Sequence, residues 1–170
     1  MTQSCFGIAG WSGSGKTTLL VQLVKRLKQQ GLTVSTVKHA HHSFDIDQPG
    51  KDSHTHRQAG AKEVFIVSEK RWACIHELHN ETEPTLATIL AKMDSVDIVL
   101  VEGFKKAAIA KLEVFRSANG KEWLYPNDPH IVAIASDVMP KDCSLPQFAL
   151  DDYQAIATFI VKFIGKNKEL

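Results

Sequence analysis

The eight residues Gly10-Trp11-Ser12-Gly13-Ser14-Gly15-Lys16-Thr17 constrain this chain more than any other part of its sequence. They lie between a short apolar run, 5–9, and a stretch in which Leu20, Leu23, Val24 and Leu27 recur at helical spacing. The chain must therefore leave a buried strand, turn sharply and start an amphipathic helix within a few residues. Gly10, Gly13 and Gly15 permit the unusual dihedrals and close backbone approach such a turn requires. Its successive N–H groups curl around an anion, and the positive end of the following helix faces the same point. Lys16 supplies an ammonium for β- and γ-phosphates, and Thr17 a hydroxyl for Mg²⁺. The pattern G-x-x-x-x-G-K-[ST] in this strand-to-helix context is a phosphate-binding loop. Its expected ligand is a purine nucleoside triphosphate, with Gly10, Ser12, Gly13, Ser14, Gly15, Lys16, Thr17 and Thr18 as contacts.

The rest of the chain supplies the fold that such a loop needs. Short apolar runs alternate with helical patterns, as in a mostly parallel sheet with helices on both faces. Strands are expected at 5–9, 32–37, 97–101 and 131–135, the third ending in Glu102-Gly103 and the fourth in Ser136-Asp137. Residues 64–67 and 72–76 read as a strand pair joined by a charged turn. Pro84 suits the first residue of a helix carrying Leu86, Ile89, Leu90 and Met93, and Asp151-Asp152 suit the start of the last one. A further hairpin is expected at about 111–125, where two apolar-rich segments flank Asn119-Gly120. Its Val114, Phe115, Trp123, Leu124 and Tyr125 would offer a dimer or partner surface. With 170 residues and no repeat or linker, one domain spanning 1–170 is the reading.

Composition limits what else the chain can do. Twenty basic and nineteen acidic side chains leave a formal charge of +1, so no global field holds nucleic acid or an anionic membrane. No apolar stretch approaches the ~20 residues of a membrane span, and the N-terminus lacks the basic and apolar regions of a signal peptide. Cys5, Cys74 and Cys143 form no metal-binding pair, which fits a reduced cytoplasm.

Several residues outside the loop are candidates for the same site. Glu102, at the end of its strand, suits holding Mg²⁺ through water or orienting an attacking water, whereas Asp97 lies at the strand's other end. Asp137 stands where the guanine-reading carboxylate of an [NT]KxD motif would stand, but Ile134 and Ala135 occupy the Asn/Thr and Lys positions. Asp137 equally suits capping the turn that follows it. The aperiodic stretch 38–61, with a short helix allowed near 52–59, gathers His39, His41, His42, His54 and His56 with Lys38, Lys51, Asp52 and Arg57. A solvated loop, a contact surface for a phosphate-bearing ligand and a metal site are its three readings. Arg57, Arg71 and Arg116 are conceivable arginine fingers, none distinguished by context.

The segments Gly10 to Leu19, Lys38-His39, Gly50-Lys51-Asp52-Ser53, Ala59-Gly60-Ala61 and Val101-Glu102-Gly103-Phe104-Lys105, in this order, resemble the molybdopterin-guanine dinucleotide biosynthesis protein B (MobB) family. The resemblance covers most of the chain and implies a three-layer P-loop NTPase fold akin to the urease and hydrogenase accessory GTPases. It implies a homodimer that binds GTP and Mg²⁺ and hydrolyses GTP weakly. It also implies a role beside the MobA-type guanylyltransferase that joins GMP to molybdopterin, with molybdopterin or its guanine dinucleotide as a further ligand. Carried over by position, residues 13–18 hold phosphates, Thr17 and Glu102 serve Mg²⁺ and catalysis with Lys16, and the loop carrying Lys51 faces nucleotide or pterin. Two other readings use the same loop: a small-molecule kinase, which needs an arginine-rich lid, and a metallochaperone, which needs the loop histidines.

Overall fold

The apolar runs form strands with the loop expected from the sequence at the end of the first. In chain order the elements are β1 (Cys5–Ala9), α1 (Lys16–Gln29), β2 (Val34–Lys38), α2 (Asp52–Gln58), β3 (Glu63–Val67) and β4 (Trp72–His76). There follow α3 (Leu86–Lys92), β5 (Ile98–Glu102), β6 (Lys111–Phe115), β7 (Ile131–Ser136), β8 (Gln147–Ala149) and α4 (Tyr153–Lys166). These come from a computed structural model that describes residues 3–40 and 44–166. Its chain divides into two units, Met1–His39 with Lys92–Leu170, and Ala40–Ala91.

The first unit is built on a six-stranded sheet of order β2-β5-β1-β6-β7-β8, and every neighbouring pair is parallel. Parallel strands buried on both faces need near-continuous apolar sequence, which Ile98-Val99-Leu100-Val101 provides at 2% exposure or less. The helical stripes Leu19, Leu23 and Leu27 of α1 and Ile156, Ala157 and Ile160 of α4 join Phe6, Ile8, Leu100, Leu112 and Ala135 in one core. Gly31, at φ 81°, follows α1, and its N–H bonds the carbonyl of Lys28, which caps the helix's C-terminal end.

Residues 111–125 do not form the expected hairpin. β6 is a central strand between β1 and β7, parallel to both, and Asn119-Gly120 closes a short 3₁₀ turn instead. The reason lies in its polar positions. Lys111 and Glu113 alternate with apolar residues as on a half-exposed strand, yet both are buried, at 2% and 0% exposure. Lys111 Nζ pairs with Asp128 Oδ2 at 2.9 Å and donates to the Lys105 carbonyl. The Glu113 carboxylate accepts the N–H groups of Leu124 and Tyr125, each at 2.8 Å, while burial raises its pKa. Trp123 stacks on Phe115 at 3.7 Å between centroids. The aromatic residues that suggested a partner surface thus pack 117–125 onto the strand.

The second unit holds the antiparallel ribbon β3–β4, with Val67 opposite Trp72 and Phe65 opposite Cys74, as its sequence predicts. Helix α2 falls where the aperiodic stretch allowed one. Helix α3 starts later than Pro84 suggests, because Thr85 acts as its cap: Thr88 N–H donates to Thr85 Oγ1.

Candidate functional site

The six parallel strands deliver chemistry-bearing residues to one edge of the sheet, their carboxyl ends, where open α/β sheets bind ligands. In spatial order that edge carries Lys38 closing β2 with His39 after it, Glu102 closing β5, the loop after β1, Arg116 after β6, Asp137 after β7 and Asp151 after β8. The phosphate loop occupies the middle.

The loop has the conformation its glycines permit. Gly10, Gly13 and Gly15 adopt φ of 142°, 79° and 99°. A Cβ on Gly10 would stand 2.3 Å from the Val114 carbonyl oxygen and 2.8 Å from Ser14 Oγ, so no side chain fits there. Ser14 is buried at 1% exposure, and its hydroxyl is the buried side-chain oxygen left without a partner among the described residues. Lys16 Nζ curls back to donate to the Trp11 carbonyl at 2.7 Å. Burial lowers the Lys16 pKa, Glu102 opposes that, and Lys105 and Lys38 reinforce it. Such crowding of cations around one ammonium is relieved by an anion. Trp11 is fixed by its Nε1–H, which donates to the Glu122 carbonyl at 2.8 Å, with Lys105 Nζ 5.1 Å from its ring centroid. Asn119 Nδ2 donates to the Ser12 carbonyl at 3.2 Å, so the 117–123 segment braces the loop's outer side.

On the β5 side, Thr17 Oγ1 lies 3.3 and 3.5 Å from the two oxygens of Glu102. A hydroxyl and a carboxylate side by side at the foot of the loop are the hard oxygen donors that Mg²⁺ prefers, so the residues fit that ion. Glu102 is aimed by a tight turn: Gly103 has φ 89° and a Cβ on it would meet His39 Cβ at 2.7 Å. Phe104 follows at φ 46°, a strained value for a non-glycine, and stacks on His39 at 4.6 Å. His39 N–H donates to the Glu102 carbonyl at 2.8 Å. Asp97, at the opposite end of β5, accepts from Thr33 N–H and Thr33 Oγ1 at 2.7 and 2.6 Å, away from the site.

On the β6–β8 side a cleft of about 470 Å³ opens beside the loop, lined among others by Gly15, Thr18, Arg116, Asp137, Asp151 and Tyr153. Of the three candidate arginines, Arg116 is the one in this unit's site, its Nη2 3.6 Å from where a Gly15 Cβ would stand. Arg57 instead bonds Asp45, Asp47 and Glu77 at 2.7 Å each, within the Ala40–Ala91 unit. Arg71 lies in the β3–β4 turn. Asp137 bonds Ser117, its Oδ1 accepting the N–H at 2.9 Å and its Oδ2 the hydroxyl at 3.0 Å, contacts that lower its pKa. Asp137 thus ties its strand end to the turn after β6, while the turn that follows β7 is capped by Ser136, whose Oγ accepts the Val138 N–H at 3.0 Å. Lys51 is exposed at the start of α2, in the other unit.

Of the five histidines in 38–61, His41 and His42 lie outside the described residues, and His54 and His56 are on α2. Among the described residues no three His, Cys, Asp or Glu side chains gather as metal ligands. No helix among them is long and apolar enough to cross a membrane. Reading the sequence alone did not single out Arg116 or Asp151 for the site: Arg116 follows a strand that reads as half of a hairpin, and Asp151 follows β8, which at three residues is too short to be recognised.

The fold and its strand-end loop define the class: a P-loop protein of the NTPase type. The chain belongs to the family described as molybdopterin guanine dinucleotide synthesis protein B, whose model matches residues 5–137. A molybdopterin-guanine dinucleotide biosynthesis adapter protein of Escherichia coli K12 is 40% identical over 94% of this chain and 92% of its own length. One of the same name from Haemophilus influenzae is 35% identical over 93% and 88%. A crystal structure of molybdopterin-guanine biosynthesis protein B superposes with a TM-score of 0.75 at 27% identity, over 94% of this chain and 99% of that one. The Bacillus subtilis MobB structure gives 0.71 at 20% identity, over 94% and 96%.

Proposed function

We propose that this chain is a GTP-binding adapter in the assembly of molybdopterin-guanine dinucleotide, working beside the guanylyltransferase that joins GMP to molybdopterin. The observation that carries the reading is the gathering of Lys16, Thr17 and Glu102 around a glycine-rich loop at the carboxyl edge of the sheet, in a member of this family. The amides of 13–18 and the Lys16 ammonium bind the phosphates, with Gly10, Ser12 and Ser14 shaping the loop beneath them. Thr17 and Glu102 would hold Mg²⁺, which neutralises phosphate charge and draws electron density from the leaving oxygen.

Hydrolysis at this site is slow. Arg57 is engaged by three carboxylates, and Arg116 stands on the cleft side of the loop, away from Glu102 and Lys38. Without an arginine finger over the terminal phosphate, a factor of roughly 10³–10⁵ in rate is forgone. Slow turnover suits an adapter whose nucleotide state sets its affinity for a partner. The apolar face of the β3–β4 ribbon, where Phe65, Val67 and Trp72 are 61%, 75% and 66% exposed, favours a homodimer. Lys51, on its exposed loop, is the residue proposed to face a pterin or nucleotide phosphate.

The test is reconstitution. Purified guanylyltransferase, molybdopterin and Mg·GTP are assayed for dinucleotide formation and transfer to an apo-molybdoenzyme, with and without this chain. Stimulation that needs Lys16 supports the adapter reading; equal yields with wild type, Lys16→Ala and no chain at all would end it.

A further inference from the structure

The cleft between the ends of β7 and β8 has no role in the phosphate chemistry, yet it opens directly from it. Gly15 and Thr18 are among its lining residues, so a nucleotide whose phosphates lie in the loop must send its nucleoside toward it or away over the Glu102 side. Its volume of about 470 Å³ lies in the range that holds a small organic ligand. Ser14, with its buried and unpartnered hydroxyl, also lines it.

Two aspartates line this cleft, Asp137 and Asp151. They differ in what they have left to offer. A carboxylate has one edge that presents both oxygens side by side to a pair of donors. In Asp137 that edge is filled by Ser117, whose N–H and hydroxyl bond one oxygen each. Asp151 makes no side-chain hydrogen bond or ion pair among the described residues. Its neighbour Asp152 caps α4, Oδ1 accepting the Ala155 N–H at 3.1 Å and the carbonyl accepting that of Ile156. The helix therefore does not need Asp151, although the two aspartates look equivalent in the sequence.

We propose that Asp151 is the residue that selects guanine in this site, and that Asp137 is a positioning residue. The proposal rests on the reading of the loop as a nucleotide site. Guanine presents a ring N–H and an exocyclic amino group side by side, the donor pair that one free carboxylate edge accepts. Adenine presents a ring nitrogen lone pair beside its amino group, which would face the Asp151 charge with repulsion. Asp137, through Ser117, fixes the turn that follows β6 and so sets Arg116 at the mouth of the cleft, beside Gly15. The incomplete [NT]KxD motif is then no obstacle to guanine preference, because the reading carboxylate comes from the end of a different strand.

The experiment is titration of the full chain with GTP, xanthosine triphosphate (XTP) and ATP, each with Mg²⁺, for wild type, Asp151→Asn, Asp151→Ala and Asp137→Asn. Xanthine keeps the ring N–H but carries a carbonyl oxygen in place of the amino group, which the amide of asparagine complements. The expected result is that Asp151→Asn weakens GTP by about 10- to 100-fold and strengthens XTP by a similar factor, leaving ATP unmoved. Asp151→Ala should lose GTP without gaining XTP. Asp137→Asn should weaken all three nucleotides alike. An unchanged GTP-to-XTP ratio in Asp151→Asn, or the switch appearing in Asp137→Asn instead, overturns the proposal while nucleotide binding stands. A wild-type chain that binds none of the three removes the loop reading and the proposal together.

Discussion

The two units of this chain are held together by different physics. In the sheet unit, Phe6, Leu23, Leu100, Leu112 and Ile160 are fully buried, and the buried charged side chains are satisfied, Lys111 by Asp128 and Glu113 by two backbone N–H groups. In the Ala40–Ala91 unit the buried apolar residues are Val64 and Leu86, while Phe65, Val67 and Trp72 lie open to solvent. Order there comes from polar knots. Arg57 gathers Asp45, Asp47 and Glu77, and His76 bridges Glu63 and Glu81 at 2.7 and 3.1 Å. The packed unit keeps a loop of positive-φ glycines and two cleft aspartates in register. The polar unit is free to respond to pH, salt and a covering partner.

If that contrast is right, the largest effect belongs to the sheet. Leu100→Ala should cost about 2–5 kcal/mol, read as a lower denaturant midpoint of the sheet unit, because a fully buried side chain leaves a cavity. A cost near zero would mean the core is loosely packed. Next comes Arg57→Ala. It leaves three carboxylates facing one another, so amide exchange in α2 and at Glu77 should accelerate, more at low salt than at high. Exchange that does not change would put the order of this unit elsewhere.

A smaller effect is expected from pH. Hydrogen bonds to Glu63 and then Glu81 raise the His76 pKa above its ordinary value. A raised folded-state pKa stabilises the protonated form, so the contribution is fully present below about pH 6.5 and fades as pH climbs through the folded value. Amide exchange across β3–β4, corrected for its intrinsic pH dependence, should therefore quicken above neutrality in wild type and not in His76→Gln. The smallest effect is for Val67→Ser. At an exposed position it should change monomer stability by no more than about 0.5 kcal/mol, and a larger loss would show that the ribbon face is covered.

The same division governs how much could be read from the sequence. Strands 5–9, 97–101 and 131–135 and the stripes of α1 and α4 were legible because burial on a parallel sheet demands apolar runs at fixed spacing. The phosphate loop was legible because few residue types satisfy its backbone. Residues 111–125 were misread, since the alternation Lys111-Leu112-Glu113 imitates a solvent-facing strand when its charges are in fact paired inside. β8 escaped notice because three residues carry too little periodicity to register. In the site, Thr17 and Glu102 meet as their positions suggested, but Asp137 and Asp151 could not be ranked. Which of two aspartates is already bonded is a tertiary fact, fixed by Ser117 and by the choice of Asp152 as the cap of α4.

The central claim is that triphosphate binding depends on the ammonium and amides of the loop after β1. Calorimetric titration of Mg·GTP into the wild-type chain and into Lys16→Ala tests it most directly. The account predicts saturable binding by wild type and a loss of roughly 100-fold in the variant. Equal affinity in the two proteins, or no binding by wild type at any concentration of Mg·GTP, would contradict it.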